Sequence, residues 1–179
     1  MKSHSFKRLL RMMLSILGCV LILGYLLPER AVIPVAGATS DSWNPKSFWY
    51  EPWGTSGVHK GIDIFAKLGT DVISTTDGLV ISTGQIEKGG NIVIILGSRW
   101  RFHYFAHLNT IDASSFHFVS RGEKIGTVGD TGNAKGKPPH LHYAVVRMIP
   151  APWALDRSTQ GWKKMFFMDP GNYLTTHQH

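Results

Sequence analysis

Residues 140–146 read His-Leu-His-Tyr-Ala-Val-Val, and this stretch decides the fold. Alternate side chains of a β-strand point to opposite faces of the sheet. One face would carry Leu141, Tyr143 and Val145, which suit a buried core, while the opposite face would carry both histidines. The stretch therefore predicts a strand with one packed face and one face that is free for chemistry.

The rest of the chain has the composition of a small β protein. It has 179 residues, of which 43% are hydrophobic and 17% charged, so it can bury one core. Its 19 glycines and 9 prolines separate short runs that are rich in Val, Ile, Phe and Thr. We predict an all-β, compact, antiparallel, β-sandwich-like domain with a substrate groove. The candidate strands are Asp71–Thr75, Gly78–Thr83, Asn91–Leu96, Trp100–Ala106, Lys124–Val128 and His140–Arg147.

The N-terminus has the pattern of an export signal or a membrane anchor. Four basic residues precede the uncharged run Met12–Leu27, so the basic flank should stay in the cytoplasm and the rest should be delivered across the membrane. The small residues Ala36-Gly37-Ala38 lie far from this run for a cleavage site, which favours an uncleaved anchor over a cleaved signal.

Four segments follow from these patterns. Residues 1–27 form the signal anchor or signal peptide, 28–47 an aperiodic linker, 48–174 the folded domain and 175–179 a frayed tail. The aromatic residues between 43 and 53 either cover an edge of the core or form a lip of the groove. Residues 149–168 look like an insertion, here called the excursion, and the sequence does not indicate their role.

Charge and cysteine content exclude several functions. The net charge is +7, but the basic residues are scattered, so nucleic acid is not indicated as a partner. Anionic cell-wall polymers and lipid headgroups fit the charge equally well. The single cysteine, Cys19, lies in the apolar run, so a metal in the folded domain must be held by histidine and carboxylate.

One set of residues has the composition of a hydrolytic zinc site. Such a site needs three protein ligands and an open position for water. His59, Asp63 and His142 supply that set. The His-x-x-x-Asp spacing and the His-x-His spacing are each unspecific alone. The C-terminal His177-Gln178-His179, for example, repeats the His-x-His form without any partner pattern. His103, four residues before His107, reads as a surface residue or as a residue that supports a ligand.

The order of several motifs resembles the lysostaphin-type, or LytM-domain, zinc endopeptidases. The matching segments, which span about residues 54 to 147, are Val58–Ile64, Gly69–Val72, Asp77–Val80, Phe105–Leu108, Gly129–Gly132 and His140–Tyr143. The resemblance implies a groove-bearing antiparallel β fold, zinc bound by His59, Asp63 and His142, and catalytic histidines at His107 and His140. Phe105 and Ala144 depart from the residues that this family often has at those places.

The resemblance implies a zinc-dependent endopeptidase that hydrolyses peptide cross-links of bacterial peptidoglycan through a metal-activated water. A neutral histidine beside that water can take its proton. His140 is our choice for the general base, and His107 then orients the substrate or donates a proton, although the two roles could be exchanged.

Two other functions stay open from the sequence. The first is a non-catalytic LytM-like module that binds the cell wall or activates a partner amidase. Such modules typically lose metal ligands, whereas this chain keeps all three. The second is a structural β domain that resembles biotinyl carriers. The expected partners are peptidoglycan and, through the N-terminal helix, the membrane. The expected location is the bacterial cell envelope, with the domain anchored outside the cytoplasm or released there.

Overall fold

The computed structural model of the chain describes residues 2–178. Within them lie two α-helices, α1 (Lys2–Leu26) and α2 (Pro170–Thr176). Nine strands lie between them: β1 (Ile62–Phe65), β2 (Asp71–Ile73), β3 (Gly78–Ile86), β4 (Gly90–Gly97), β5 (Arg101–Ile111), β6 (Phe118–Val119), β7 (Lys124–Val128), β8 (His140–Arg147) and β9 (Phe167–Met168).

The strands pair antiparallel throughout, in the order β1-β8-β5-β4-β3-β6. β7 pairs with both β5 and β2, and β9 adds to β8. β8 therefore lies centrally, between β1 and β5. All six predicted strands form at the predicted places, whereas β1, β6, β9 and α2 are not among the predicted elements.

The two faces of β8 divide as its alternating pattern predicts. Leu141, Tyr143 and Val145 are fully buried in the core. His140, His142 and Ala144 line a pocket on the opposite face. The central strand thus joins the core to the candidate site.

Residues 28–47 differ from the linker that we expected. Ala31, Val35 and Trp43 are buried in the core cluster. The segment runs along β2, where the backbone N–H of Ile73 donates to the carbonyl of Pro34 at 3.0 Å. Its buried residues follow no helix or strand period, because an irregular chain buries single side chains wherever they fit. The segment is part of the folded domain.

The C-terminus also differs from the expected frayed tail. Asp169 caps α2 by accepting hydrogen bonds from the backbone N–H groups of Gly171 and Asn172. Pro170 occupies the first helical position, where its missing N–H costs nothing. Tyr173 is buried, and the half-buried His177 donates from Nδ1 to the Tyr173 carbonyl at 2.9 Å. The final residue, His179, lies outside the described residues.

Candidate metal centre and catalytic pocket

The antiparallel pairing of β1 with β8 brings the predicted ligands together. Asp63 lies directly opposite His142 in the register, and Phe65 lies opposite His140. His59 precedes β1 by three residues and is almost completely buried. A spacing of 79 residues in sequence thus becomes a direct side-chain contact between Asp63 and His142.

Three ligand atoms form a nearly equilateral triangle. His59 Nε2 lies 3.2 Å from Asp63 Oδ1 and 3.1 Å from His142 Nδ1, and the third edge, from His142 Nδ1 to Asp63 Oδ1, is 2.9 Å. Two ligands about 2.0–2.1 Å from a tetrahedral zinc ion lie roughly 3.3 Å apart. The triangle therefore fits one face of a zinc-sized tetrahedron, with the fourth corner left for another ligand.

A backbone hydrogen bond fixes the tautomer of His59. Its Nδ1 lies 3.0 Å from the carbonyl oxygen of Ser47. Because a carbonyl only accepts, Nδ1 carries the proton, and Nε2 presents a lone pair to the triangle. This support for a metal-binding histidine is common in metal sites. It comes from the segment that the sequence predicted to be a linker.

The carboxylate of Asp63 is the charged member of the cluster. Burial raises its pKa, but the hydrogen bonds from His142 and His59 outweigh burial and bring the pKa well below the usual aspartate range. Burial is also the main cause that lowers the pKa of His142, against the opposing pull of Asp63. A charged Asp63 carboxylate beside a neutral His142 imidazole is the protonation state that a metal requires of these ligands.

His140 and His107 lie beside the triangle, with 5.1 Å between their ring centroids and an angle of 65° between the ring planes. Each donates from Nδ1 to a backbone carbonyl, His140 to Pro138 at 2.8 Å and His107 to Thr131 at 2.9 Å. The Nε2 atom of each neutral ring is therefore free to accept a proton. His140 Nε2 lies 3.9 Å from Asp63 Oδ2, close to the ligand triangle.

His107 reaches the pocket through an interruption of β5. Tyr104 and Ala106 line the pocket, so strict alternation would turn His107 into the core. Its φ of 64° lies in the left-handed region, which a non-glycine residue rarely adopts, and this rotates the side chain to the pocket side. Such strained residues concentrate at functional sites.

The placement of His103 corrects the sequence prediction of a surface or supporting residue. The ring is 1% exposed and pairs through Nδ1 with the Tyr143 hydroxyl at 2.7 Å. Complete burial lowers its pKa to about 3, with a smaller contribution from Arg101. The four-residue spacing to His107 predicted one shared face only for a regular strand, and the interruption at His107 separates the two.

Burial keeps His107 neutral as well. Burial first, and then positive charge on His142 and His140, lower its pKa to about 4, against the raising effects of the Thr131 carbonyl and Asp63. At neutral pH the ring can therefore accept a hydrogen bond or a proton at Nε2. This property suits a group that orients substrate or exchanges protons.

The five residues face a cavity of about 500 Å³. Trp53 stacks on the His59 ring at 3.9 Å between centroids, so this member of the aromatic cluster lies at the lip of the groove. Trp43, by contrast, packs in the core. Lys60, Lys88 and Lys137 also line the cavity and make its rim cationic.

Sequence reasoning missed Tyr104, which also lines the cavity. Its ring lies edge-on to His142, with 6.2 Å between the ring centroids. Burial raises the pKa of the Tyr104 hydroxyl, so that it remains a donor at neutral pH. The strand pattern of β5 places it two residues before Ala106 on the same face, but no motif distinguished it from other strand tyrosines.

A family comparison agrees with this geometry. The model of peptidase family M23 matches residues 57–151, which is more than half of the chain. The chain therefore belongs to peptidase family M23. The match includes all five histidine and aspartate residues of the pocket.

Curated relatives include both enzymes and an activator. An L-Ala--D-Glu endopeptidase of Bacillus subtilis is 38% identical over 111 residues, covering 57% of this chain and 34% of the relative. The murein hydrolase activator NlpD of Escherichia coli is 34% identical over 105 residues, covering 58% of this chain and 27% of the relative. The chain thus spans about a third or less of the length of these two relatives.

Solved structures share the fold. The catalytic domain of lysostaphin from Staphylococcus simulans superposes with a TM-score of 0.59 at 23% identity, covering 76% of this chain and 95% of that domain. A zinc-containing peptidase from Vibrio cholerae superposes with a TM-score of 0.53 at 32% identity, covering 65% of this chain and 37% of that protein. The predicted antiparallel β fold is confirmed.

Proposed function

We propose that this protein is a zinc-dependent endopeptidase that hydrolyses peptide cross-links of bacterial peptidoglycan. The observation that carries the proposal is the triangle of His59, Asp63 and His142, whose edges of 2.9–3.2 Å match a zinc coordination face. The zinc-containing peptidase of Vibrio cholerae supports the metal, and the L-Ala--D-Glu endopeptidase of Bacillus subtilis supports the substrate class.

His59, Asp63 and His142 would hold the ion. When bound, zinc supplies a Lewis acid that polarises a carbonyl and brings the pKa of a water towards neutrality. The hydrogen bond from His59 to Ser47 and the register between Asp63 and His142 orient the ligands before the ion binds. Such preorganisation removes an ordering cost from metal binding.

His140 acts as the general base. Its Nδ1–H is held by the Pro138 carbonyl, so Nε2 is the nitrogen that faces the cavity and accepts the proton of the attacking water. The same nitrogen can then return the proton to the leaving amine. The distance of 3.9 Å between this nitrogen and Asp63 Oδ2 supports a proton exchange next to the ligand triangle.

His107 positions the scissile peptide, because Nε2 of its neutral ring accepts a hydrogen bond from a substrate N–H. Its ring meets His140 edge to face and opens on the same cavity. The protonated hydroxyl of Tyr104 supplies a hydrogen-bond donor on this wall of the cavity. Donors fixed where negative charge develops contribute strongly to amide hydrolysis, because they need no reorganisation during the reaction.

The protein acts outside the cytoplasm. Residues Phe6–Leu26 of α1 are long and apolar enough to cross a membrane, and none of this span is buried in the protein. The basic residues before it favour a cytoplasmic N-terminus, which delivers the domain to the opposite side. We propose that α1 remains as an anchor in the envelope, where peptidoglycan is accessible.

The relative NlpD supports a second candidate function, activation of a partner murein hydrolase. One incubation distinguishes the endopeptidase function from the activator function. Zinc-loaded protein is mixed with a purified cross-linked muropeptide dimer, with no other protein present. An endopeptidase converts the dimer to monomers. An activator leaves the dimer intact and increases product only when an amidase and its own substrate are added.

A further inference from the structure

The C-terminal end of α1 is docked on the folded domain. It contacts the turn between β4 and β5, Ser98–Trp100, where Trp100 Nε1–H donates to the Leu21 carbonyl at 2.8 Å. A Cβ atom on Gly24 would lie 2.3 Å from the Trp100 ring, so a glycine at 24 is required for this approach. The Arg99 guanidinium lies 5.7 Å from the centre of the Tyr25 ring.

The backbone of this turn is strained in a way that directs both side chains at α1. Arg99 and Trp100 have φ angles of 54° and 56°, in the left-handed region that L residues with side chains rarely adopt. Two consecutive residues in this region are strained, and the surrounding contacts must offset that strain. The contact with α1 is one of them.

Buried ion pairs fix the chain immediately after α1. The carboxylate of Glu29 is 3% exposed, and its Oε1 forms an ion pair with Arg101 Nε at 2.9 Å. Arg99 lies 3.7 Å away, and His177 Nε2 lies 3.5 Å away. The domain is therefore held against its helix at two adjacent places instead of swinging on a flexible tether.

The position of Trp100 relative to the apolar span sets its depth. Leu21 precedes the end of the span at Leu26 by five residues, which is about 7.5 Å along a helix. If α1 crosses the bilayer, the Trp100 indole lies at the level of the outer lipid–water interface. Tryptophan is enriched at this level because its ring is apolar and its N–H is polar.

Residues 148–165, which include most of the excursion, follow β8 at the end of the sheet where the Ser98–Trp100 turn lies. Arg147 pairs with Arg101 in the register, and the N–H of Met148 donates to the Trp100 carbonyl at 3.0 Å. Residues 148–165 then expose large apolar side chains: Met148, Ile149, Trp153, Leu155 and Trp162. Trp153 is 84% exposed. The same residues include three basic side chains and one acidic side chain, which favours an anionic surface.

We propose that the Ser98–Trp100 turn and the 148–165 excursion form a contact with the outer lipid–water interface beside α1. The occupant of this apolar and basic surface is the bilayer that α1 crosses. His107 lies six residues along β5 from Arg101, about 20 Å for a strand. The contact thus holds the catalytic pocket at a fixed height above the lipid and restricts the protein to substrate within that reach.

The test measures the membrane depth of Trp153 in the full chain. Cys19→Ser removes the native thiol, and Trp153→Cys then carries a nitroxide label in vesicles of phosphatidylethanolamine and phosphatidylglycerol. Collisions with oxygen, which concentrates in lipid, are compared with collisions with a water-soluble nickel chelate. The matched control is Ile86→Cys, an exposed apolar residue at the far end of β3, two residues from the cavity residue Lys88.

We expect the oxygen-to-nickel ratio at position 153 to exceed that at position 86 several-fold. Equal ratios would overturn the proposal, and so would a label at 153 that is shielded from both reagents, which would indicate a protein partner. Gly24→Leu should lower the ratio at 153 towards the control value, because it displaces Trp100. Gly18→Leu, whose added side chain starts in open space on the same helix, should leave the ratio unchanged. An unchanged ratio in Gly24→Leu would overturn the role of the helix contact.

Discussion

At the scale of single residues, His142 and His140 illustrate how two neighbouring histidines differ in role. His142 Nδ1 belongs to the ligand triangle, whereas His140 Nε2 faces the cavity beside it. We predict that His142→Ala abolishes both zinc binding and activity, because it removes a ligand. His140→Ala should keep the metal and lower turnover by about 10²–10⁴-fold, the usual contribution of a general base. Metal content by mass spectrometry and turnover of a cross-linked peptide check both.

The matched control for these variants is His117→Ala, because His117 is exposed and does not line the cavity. It should leave both measurements unchanged. An equal loss of metal in His142→Ala and His140→Ala would show that the assigned division of roles is wrong.

His103 makes a prediction about stability and pH. Its folded pKa of about 3 lies below the unfolded value of about 6.5, so between these values only the unfolded chain takes up the proton. Stability therefore falls as the pH is lowered from about 6.5 towards about 3. His103→Asn keeps a polar group near Tyr143 and does not titrate, so its melting temperature should depend less on pH over this range.

The measurement is thermal unfolding of both metal-free proteins at several pH values. The other histidines contribute equally to both, so the difference belongs to His103. If the two proteins lost stability in parallel on acidification, His103 would not be buried in its neutral form.

The sequence predicted the histidine and aspartate residues of the site better than it predicted their supports. Asp63 and His142 face each other because a strand pairing places them in register. The contact between Ser47 and His59 depends on an aperiodic segment, and the orientation of His107 depends on one positive φ angle. Neither feature leaves a periodic signal in the sequence, so neither could be predicted from it.

At the scale of elements, the long strands were predictable, and short or irregular elements were not. β4, β5 and β8 each bury several apolar residues, so their patterns are clear. β6 and β9 have only two residues each, too few to form a pattern. The helix α2 had a detectable signal in Asp169-Pro170, a capping residue followed by proline, that was not recognised.

Residues 28–47 contribute to the stability of the domain through Trp43. Trp43 is 5% exposed and contacts Gly171 at the start of α2. We predict that Trp43→Ala lowers the free energy of unfolding by about 3–5 kcal/mol, the usual cost of truncating a buried aromatic residue. Urea unfolding of a protein that comprises residues 28–179 measures this.

Trp153→Ala is the matched control, because Trp153 is 84% exposed, and its cost should stay within about 0.5 kcal/mol. Similar small losses in both variants would mean that residues 28–47 do not contribute to the fold as the packing indicates.

At the scale of the whole molecule, α1, residues 28–47 and the pocket form one connected unit. α1 docks on the turn before β5, β5 carries Tyr104 and His107 to the cavity, and β8 carries both His140 and His142. Sequence patterns gave the order of these parts along the chain. They could not give the docking of α1, because Trp100 is far in sequence from Gly24 and Glu29 and the three residues match no motif.

We propose that this pocket hydrolyses peptidoglycan cross-links with a bound zinc ion. The most direct measurement is digestion of purified peptidoglycan by residues 28–179, with mass analysis of the released fragments. The protein is compared in zinc-loaded, chelated and zinc-restored forms, together with zinc-loaded His140→Ala. We predict uncross-linked peptides only from the zinc-loaded and zinc-restored protein, with at least about 100-fold less from the variant. Equal release from the chelated protein, or no release from folded, zinc-loaded protein, would contradict this account.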